Sequence, residues 1–393
     1  MRFFYFYPSY ASPSGGNKQL RLQGSLLAEL GHEVFLLRDQ KFFDDPAQYQ
    51  DDYLYGASLP VWEGPMERVL MSFHKDDFLV LPEGKLDSVL PMSVSTPARI
   101  VINNQNGFYA LRYFPESRAL CNRIDAVIAN SPYNCMASRV AYRIPAERLF
   151  YVPHWVVRGH FEIAEQTAKL QGICYMPRKQ PELVNTIKQK VQQLVPEVPW
   201  VEIDRVPEPV VAERLRAHSM FFAAQHLEGC PLTALEAMAC RCLVAGFPGT
   251  EFFTHPYAND TNGYWAMDND VDSAVRAICR MVRDTQTNPG KCQETIDCGI
   301  KTVGKYTKEQ VVAKLSRLVD GLEAILSNRK IRPVASHRSV ENIPEESWNW
   351  SDYLYAQRKK FHYNRLTGFP APILRWVSKS FRKPSPSAQE LSR

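Results

Sequence analysis

Residues 221–251 read FFAAQHLEGCPLTALEAMACRCLVAGFPGTE. The apolar residues 220–224 predict a buried strand from their length and composition. Gly229, Cys230, Pro231, Leu232 and Thr233 make a turn, because Gly and Pro punctuate regular structure. Residues 234–240 have helical composition, and 243–246 read as a second short strand. A strand, a Gly turn and a helix N-terminus aim backbone N–H groups and the positive end of a helix at one place, where an anion is favoured. Glu228 and Glu236 stand eight positions apart, the first at the mouth of the turn and the second inside the first turns of the helix. This predicts one half of a ligand site.

Upstream, residues 172–176 predict a strand that runs directly into Pro177, Arg178 and Lys179. Two adjacent cations after a strand suit a diphosphate, since Arg grips an oxyanion bidentately and Lys acts as a point charge. The same pair also suits a solvated loop. Residues 182–194 and 209–218 read as helices around a short strand at 200–203. Downstream, 270–283 is an amphipathic helix and 308–326 a longer one. Alternation of this kind predicts a parallel sheet covered by helices on both faces.

The first part of the chain repeats the pattern. Residues 2–7 predict a strand, 8–16 a loop of Pro, Ser and Gly closed by Gly15-Gly16-Asn17, 18–30 a helix and 33–37 the next strand. Leu20, Gln23, Leu26, Leu27 and Leu30 fall near one face of that helix, and Gly31 ends it. Gly15 and Gly16 permit close backbone approach to a ligand, or equally a tight turn without one. Strands at 77–81, 98–102, 126–129 and 149–152 each stop in a polar loop. In an open parallel sheet, ligands bind beyond those strand ends. Glu83, the amide run 103–106, Ser131 and His154 stand there. The amides suit sugar hydroxyls, or Asx-type capping of a turn. Residues 155–171 read as a connection between two domains, 1–155 and 172–328. A helical extension at 329–370 and a tail at 371–393 follow, with 345–361 expected to cross back onto the first domain.

Composition narrows the classes. The 393 residues are 45% hydrophobic and 23% charged, enough for two globular domains. No window has the apolar length of a spanning helix, and the aromatic N-terminus does not resemble a signal peptide. Nine cysteines without C-x-x-C pairs argue for a reducing compartment and against a zinc site or disulfide framework. The formal charge of +5 resides in residues 329–393, where 13 Lys and Arg face 5 Asp and Glu; the rest carries 34 against 37. The body therefore carries no nucleic-acid signature. No phosphate loop and no G-x-G-x-x-G fingerprint occurs.

The chain resembles the retaining GT-B glycosyltransferases that include bacterial mannosyl- and glucosyltransferases of cell-surface glycans. Gly15-Gly16 followed by Leu26-Leu27-Ala28-Glu29-Leu30-Gly31-His32-Glu33-Val34 is similar to the family's opening. Asn130-Ser131 and Val152-Pro153-His154 are similar to its hinge run, with His where Asn is usual. Glu228 through Cys240 is similar to its E-x7-E motif, and Pro248-Gly249, Glu251 and Asn262-Gly263 continue the pattern. Arg241 stands where Gly is common, so a different helix end is expected, and the stretch between Lys179 and Glu228 is shorter than usual.

The resemblance implies two Rossmann-like sheets facing a cleft, acceptor side first and nucleotide-sugar donor side second. Glu236 would bind the ribose, Glu228 would lie against the donor sugar, and the backbone of Gly229, Cys230, Pro231 and Leu232 would reach sugar and phosphate. Arg178 and Lys179 would neutralise the diphosphate, and Gly15 and Gly16 would form the facing wall. The donor is a substrate, and no separate cofactor is implied. Asp268-Asn269-Asp270 has D-x-D spacing, and its place before a helix reads as a cap, so metal independence is expected. The acceptor would be a glycan or a lipid-linked glycan, in the cytoplasm or at the inner membrane face. Residues 373–383 mix apolar and basic side chains, which suits an interfacial helix on an anionic membrane or a basic disordered end. The alternatives are a non-catalytic nucleotide- or glycan-binding protein of the same fold, or a sugar epimerase.

Overall fold

The computed structural model describes residues 1–327 except 9–13, 40–57, 65, 94–95, 113–117, 166, 226–227 and 250–256. Glu251, the acidic pairs at 44–45 and 51–52, the helix expected at 345–361 and the stretch 373–383 lie outside the described residues.

Seven strands form the first sheet: β1 (Arg2–Phe6), β2 (Glu33–Asp39), β3 (Val61–Gly64), β4 (Asp77–Pro82), β5 (Arg99–Asn104), β6 (Ile124–Ala129) and β7 (Leu149–Tyr151). Their order is β3-β2-β1-β4-β5-β6-β7, with every pair parallel. The intervening helices are α1 (Gly15–Glu29), α2 (Met66–Met71), α3 (Leu86–Met92), α4 (Gly107–Arg112), α5 (Arg118–Asn122) and α6 (Pro132–Tyr142). Every residue of β4 and β6 is buried, because central parallel strands are covered on both faces.

The second sheet holds β8 (Leu170–Tyr175), β9 (Trp200–Glu202), β10 (His218–Ala224), β11 (Leu243–Phe247) and β12 (Tyr264–Trp265), ordered β12-β11-β10-β8-β9 and again all parallel. The later helices are α7 (Arg158–Phe161), α8 (Pro181–Leu194), α9 (Glu208–Ala217), α10 (Leu232–Ala239), α11 (Val271–Thr287), α12 (Pro289–Val303) and α13 (Lys308–Ser327). The expected pair of parallel α/β sheets is the architecture. The connection between them belongs to both cores: Trp155 and Val157 pack into the first, Val156 and Phe161 into the second.

Four readings need correction. The helix at 308–326, placed with the second domain, packs on the first sheet: Val311, Leu315, Leu318, Leu322 and Ile325 share a core with Phe3, Tyr5 and Val101. Their helical spacing sets one apolar stripe, and the first sheet supplies the matching face. Second, Gly15 and Gly16 do not close a loop. They are the first turn of α1, capped by Ser14, whose Oγ accepts from the Asn17 N–H at 3.1 Å. Third, Leu30 follows α1 and is exposed.

Fourth, α10 ends in the usual Schellman geometry despite Arg241. The Arg241 N–H reaches the Met238 carbonyl and the Cys242 N–H reaches that of Ala237, both at 2.9 Å, with Arg241 at φ +58°. In α1 the same closure is made by Gly31 at φ +88°. Arg241 accepts the left-handed conformation while its guanidinium pairs with Asp297 at 3.2 Å and Glu165 at 3.6 Å.

Candidate active site

The loops after the first sheet's strands meet the N-terminus of α10. A Cβ on Gly15 would lie 3.6 Å from Leu232 Cδ1, an ordinary contact. At Gly229 a Cβ would collide with the Asn134 amide and stand 2.8 Å from the Gln105 carbonyl oxygen, so only glycine permits this approach. Gln105 Nε2 donates to the Gly16 carbonyl at 3.1 Å. Gly15, Gly16, Gly229 and Leu232, chosen from sequence, are thus brought together.

The wall behind them is a buried amide network. Asn130 Nδ2 lies 3.0 Å from the Gln105 carbonyl and 2.7 Å from His154 Nε2. The Asn134 side chain donates to Asn130 Oδ1 and accepts the Gly107 N–H at 2.6 Å. Burial holds His154 neutral, with its imidazole pushed down to about 3. The amide run proves structural at three of four positions. Asn103 donates to Gln23 at 2.5 Å, Asn104 to Ser138 at 2.7 Å, and Asn106 accepts the Phe108 N–H at the start of α4 at 2.9 Å. Beside them Glu83 is buried and accepts the Gln105 N–H at 3.2 Å. Burial pushes its carboxyl up to about 7, against the opposing effects of backbone N–H groups and Lys179.

On the second sheet, Arg178 and Lys179 occupy the turn after β8, and both are exposed. Lys179 Nζ contacts the Glu228 carboxylate. Gly249, at φ +77°, leaves room for Glu228: its Cβ would lie 3.4 Å from that of Glu228. Arg178 pairs with no carboxylate among the described residues. Cys230 and Pro231 are buried, and α10 starts after Pro231 with no side-chain cap. Its first N–H groups are therefore left to a ligand or to solvent. Asp268 accepts the Gly249 N–H at 3.1 Å, and Asp270 caps α11 by accepting the Ser273 N–H at 2.9 Å, so the D-x-D carboxylates hold backbone.

Glu236 has a partner that sequence reasoning did not supply. Lys18 Nζ, from α1, lies 2.7 Å from Glu236 Oε1 and also contacts the carboxylate of Glu208, the first residue of α9. Lys18, Glu208 and Glu236 are all buried. Lys18 was readable in one respect: a cation in the first turn opposes the helix dipole, so it calls for a partner.

Part of the second half of the chain is similar to a known family. Residues 181–296 match the family model of glycosyl transferases group 1. The matched residues include Glu208, Glu228 and Glu236 and begin just after Lys179. Over 239 residues the chain is 23% identical to an α-1,6-glucosyltransferase of Actinobacillus pleuropneumoniae serotype 7, covering 59% of this chain and 71% of that protein. Sucrose-phosphate synthase from Thermosynechococcus elongatus aligns with a TM-score of 0.60 at 15% identity, over 82% of this chain and 99% of that one. Anabaena HepE in complex with UDP-glucose aligns at 0.59 and 13%, over 82% and 100%. A glycosyltransferase from Rickettsia africae aligns at 0.59 and 14%, over 83% and 99%. These structures share the GT-B arrangement of two parallel-sheet halves.

Proposed function

We propose that the protein is a glycosyltransferase that moves a hexosyl group from a nucleoside-diphosphate sugar to a glycan or lipid-linked acceptor, with retention of configuration and without a metal. The observation that carries this reading is the Lys179–Glu228 contact beside the uncapped N-terminus of α10, with Arg178 next to Lys179 in the turn after β8 and Gly15 facing Leu232. Breaking the bond from anomeric carbon to phosphate places negative charge on the leaving diphosphate. A fixed cation and helix N–H groups stabilise that charge in the transition state. Arg178 is the cation for the diphosphate. Glu228, in contact with Lys179, lies toward the sugar, and Glu236 toward the ribose.

The group 1 match and the α-1,6-glucosyltransferase relative support glycosyl transfer. HepE, which shares the fold, binds UDP-glucose, so that is the first donor to test. Residues 373–383 would bring the enzyme to an anionic cytoplasmic membrane face carrying a lipid-linked acceptor.

The test is slow release of sugar from UDP-, GDP-, ADP- and dTDP-sugars, followed by the same assay on Arg178→Ala and Glu228→Ala. The expected result is turnover of one donor, lost in both variants while their melting curves match the parent. Full activity in either variant would refute the site. Binding of a donor without turnover would favour the non-catalytic binding protein.

A further inference from the structure

Lys18, Glu208 and Glu236 come from α1, α9 and α10, with Lys18 on the first sheet's side and both carboxylates on the second's. Their relative exposures are 5%, 8% and 4%, so one buried cation answers two buried carboxylates. Burying a charge is costly unless it is paired and hydrogen-bonded, so such a cluster demands an account. Phe161 forms one wall, its ring centroid 4.9 Å from Lys18 Nζ. His154 also faces Lys18 and is held neutral by burial, partly under the influence of that ammonium. Behind Glu236 stands the Cys240 thiol, pushed upward by burial and so uncharged. On α7, Arg158 is turned to Glu162 at the surface.

Glu236 alone would be a poor carboxylate. Burial, opposed by Lys18 and reinforced by Glu208, raises its carboxyl above the usual glutamate range even with Lys18 in place, so without Lys18 the rise would be larger still. A protonated carboxyl gives up acceptor capacity at one oxygen to its own O–H, whereas the ionised group accepts at both oxygens and takes a charge-assisted hydrogen bond from each ribose hydroxyl. Lys18 occupies Oε1, so the ionised group keeps further acceptor capacity. Accordingly, we propose that Lys18 is a positioning residue that holds Glu236 ionised as the acceptor for the ribose hydroxyls of the donor nucleotide. The nucleotide end of the site is then complete only when the first sheet's half lies against the second's. This rests on the glycosyltransferase reading given above.

The experiment measures binding of UDP, with GDP and ADP as alternatives, by titration calorimetry between pH 6 and 9. Parent, Lys18→Met and Lys18→Met/Glu208→Gln are compared. The parent should bind with an affinity nearly flat in pH. Lys18→Met should bind about tenfold to a hundredfold more weakly at pH 7, the scale of a lost hydrogen bond to a charged group. Its affinity should climb as pH rises and Glu236 ionises. The double variant loses one charge of each sign, so it should recover part of the affinity at pH 7 and climb at lower pH than the single variant. If Lys18→Met does not fold, the double variant carries the test, because its Glu236 still lacks a cation and its affinity must still rise with pH. Lys18→Arg should restore a flat profile. A uniform weakening without pH dependence or rescue would mark a merely structural lysine and overturn the inference. So would a Lys18→Met variant that binds like the parent. A parent that binds none of the three nucleotides overturns this inference together with the reading beneath it.

Discussion

Glu83 shows how a single buried carboxylate records its surroundings. It follows β4 directly, receives the Gln105 N–H, and has its carboxyl raised from 4.5 to about 7 by burial. The native state therefore keeps this proton up to about pH 7, whereas the unfolded chain gives it up near the ordinary glutamate value. Between those values the native state binds more protons, so this group's stabilising contribution, complete below pH 4.5, is lost as pH rises through 7. Glu83→Gln keeps an oxygen to accept the Gln105 N–H and removes the titration. Relative to the parent, the variant should gain roughly 2–3 kcal/mol between pH 5 and pH 8 in urea unfolding. Parallel pH profiles for the two proteins would contradict the assignment. His154 works in the opposite sense: its imidazole is pushed down to about 3, so its contribution is present above 6.5 and is lost as pH falls through that lowered value.

At the scale of elements, the helix most informative about the fold is α13. Its apolar stripe was legible in sequence, but the sheet it serves was not, because an amphipathic period states that a face is buried without naming its partner. Gly321 shows how closely it docks: a Cβ there would collide with the ring of Phe150 on β7. Helix propensity alone predicts that Gly321→Ala stabilises by about 1 kcal/mol. Packing predicts the reverse, since overpacking at a tight contact costs about 1–3 kcal/mol. The expected outcome is net destabilisation in urea unfolding, relieved in Gly321→Ala/Phe150→Leu; a stabilised single variant would show that the ring moves aside freely. The same limit on sequence reading applies elsewhere. Central strands such as β4 and β6 were evident as apolar runs, while the edge strands β3 and β12 are short and half-patterned. Of the site, the Glu228 and Gly229 turn stood out through its Gly-Cys-Pro break. Lys18 and its pairing with Glu236 did not, nor did the approach of Asn134 to Gly229, because those partners lie far away along the chain and meet only after both sheets have formed.

For the whole molecule, what matters is how the two sheets' loops meet, and one backbone position controls the spacing. Gly229 lies against the Asn134 amide and the Gln105 carbonyl, with no room for a methyl group. Asn134 cannot retreat cheaply, because it is buried, donates to Asn130 and accepts the Gly107 N–H at 2.6 Å. The Gln105 carbonyl is fixed by the Asn130 amide at 3.0 Å. A methyl at 229 must therefore displace the loop of the second sheet, and that displacement draws Glu236 away from Lys18. The core around Val101 holds none of the residues of the contact, and the core around Phe221 reaches it only at Cys230 and Leu232, so both should keep most of their packing. Gly229→Ala should thus leave far-ultraviolet circular dichroism unchanged while amide exchange rises at Gln105 and at the first turn of α10. UDP affinity should fall, with the same rise toward high pH expected of Lys18→Met, because both changes deprive Glu236 of its cation. Unchanged exchange at both places would mean that Asn134 yields and that the spacing between the halves is set elsewhere.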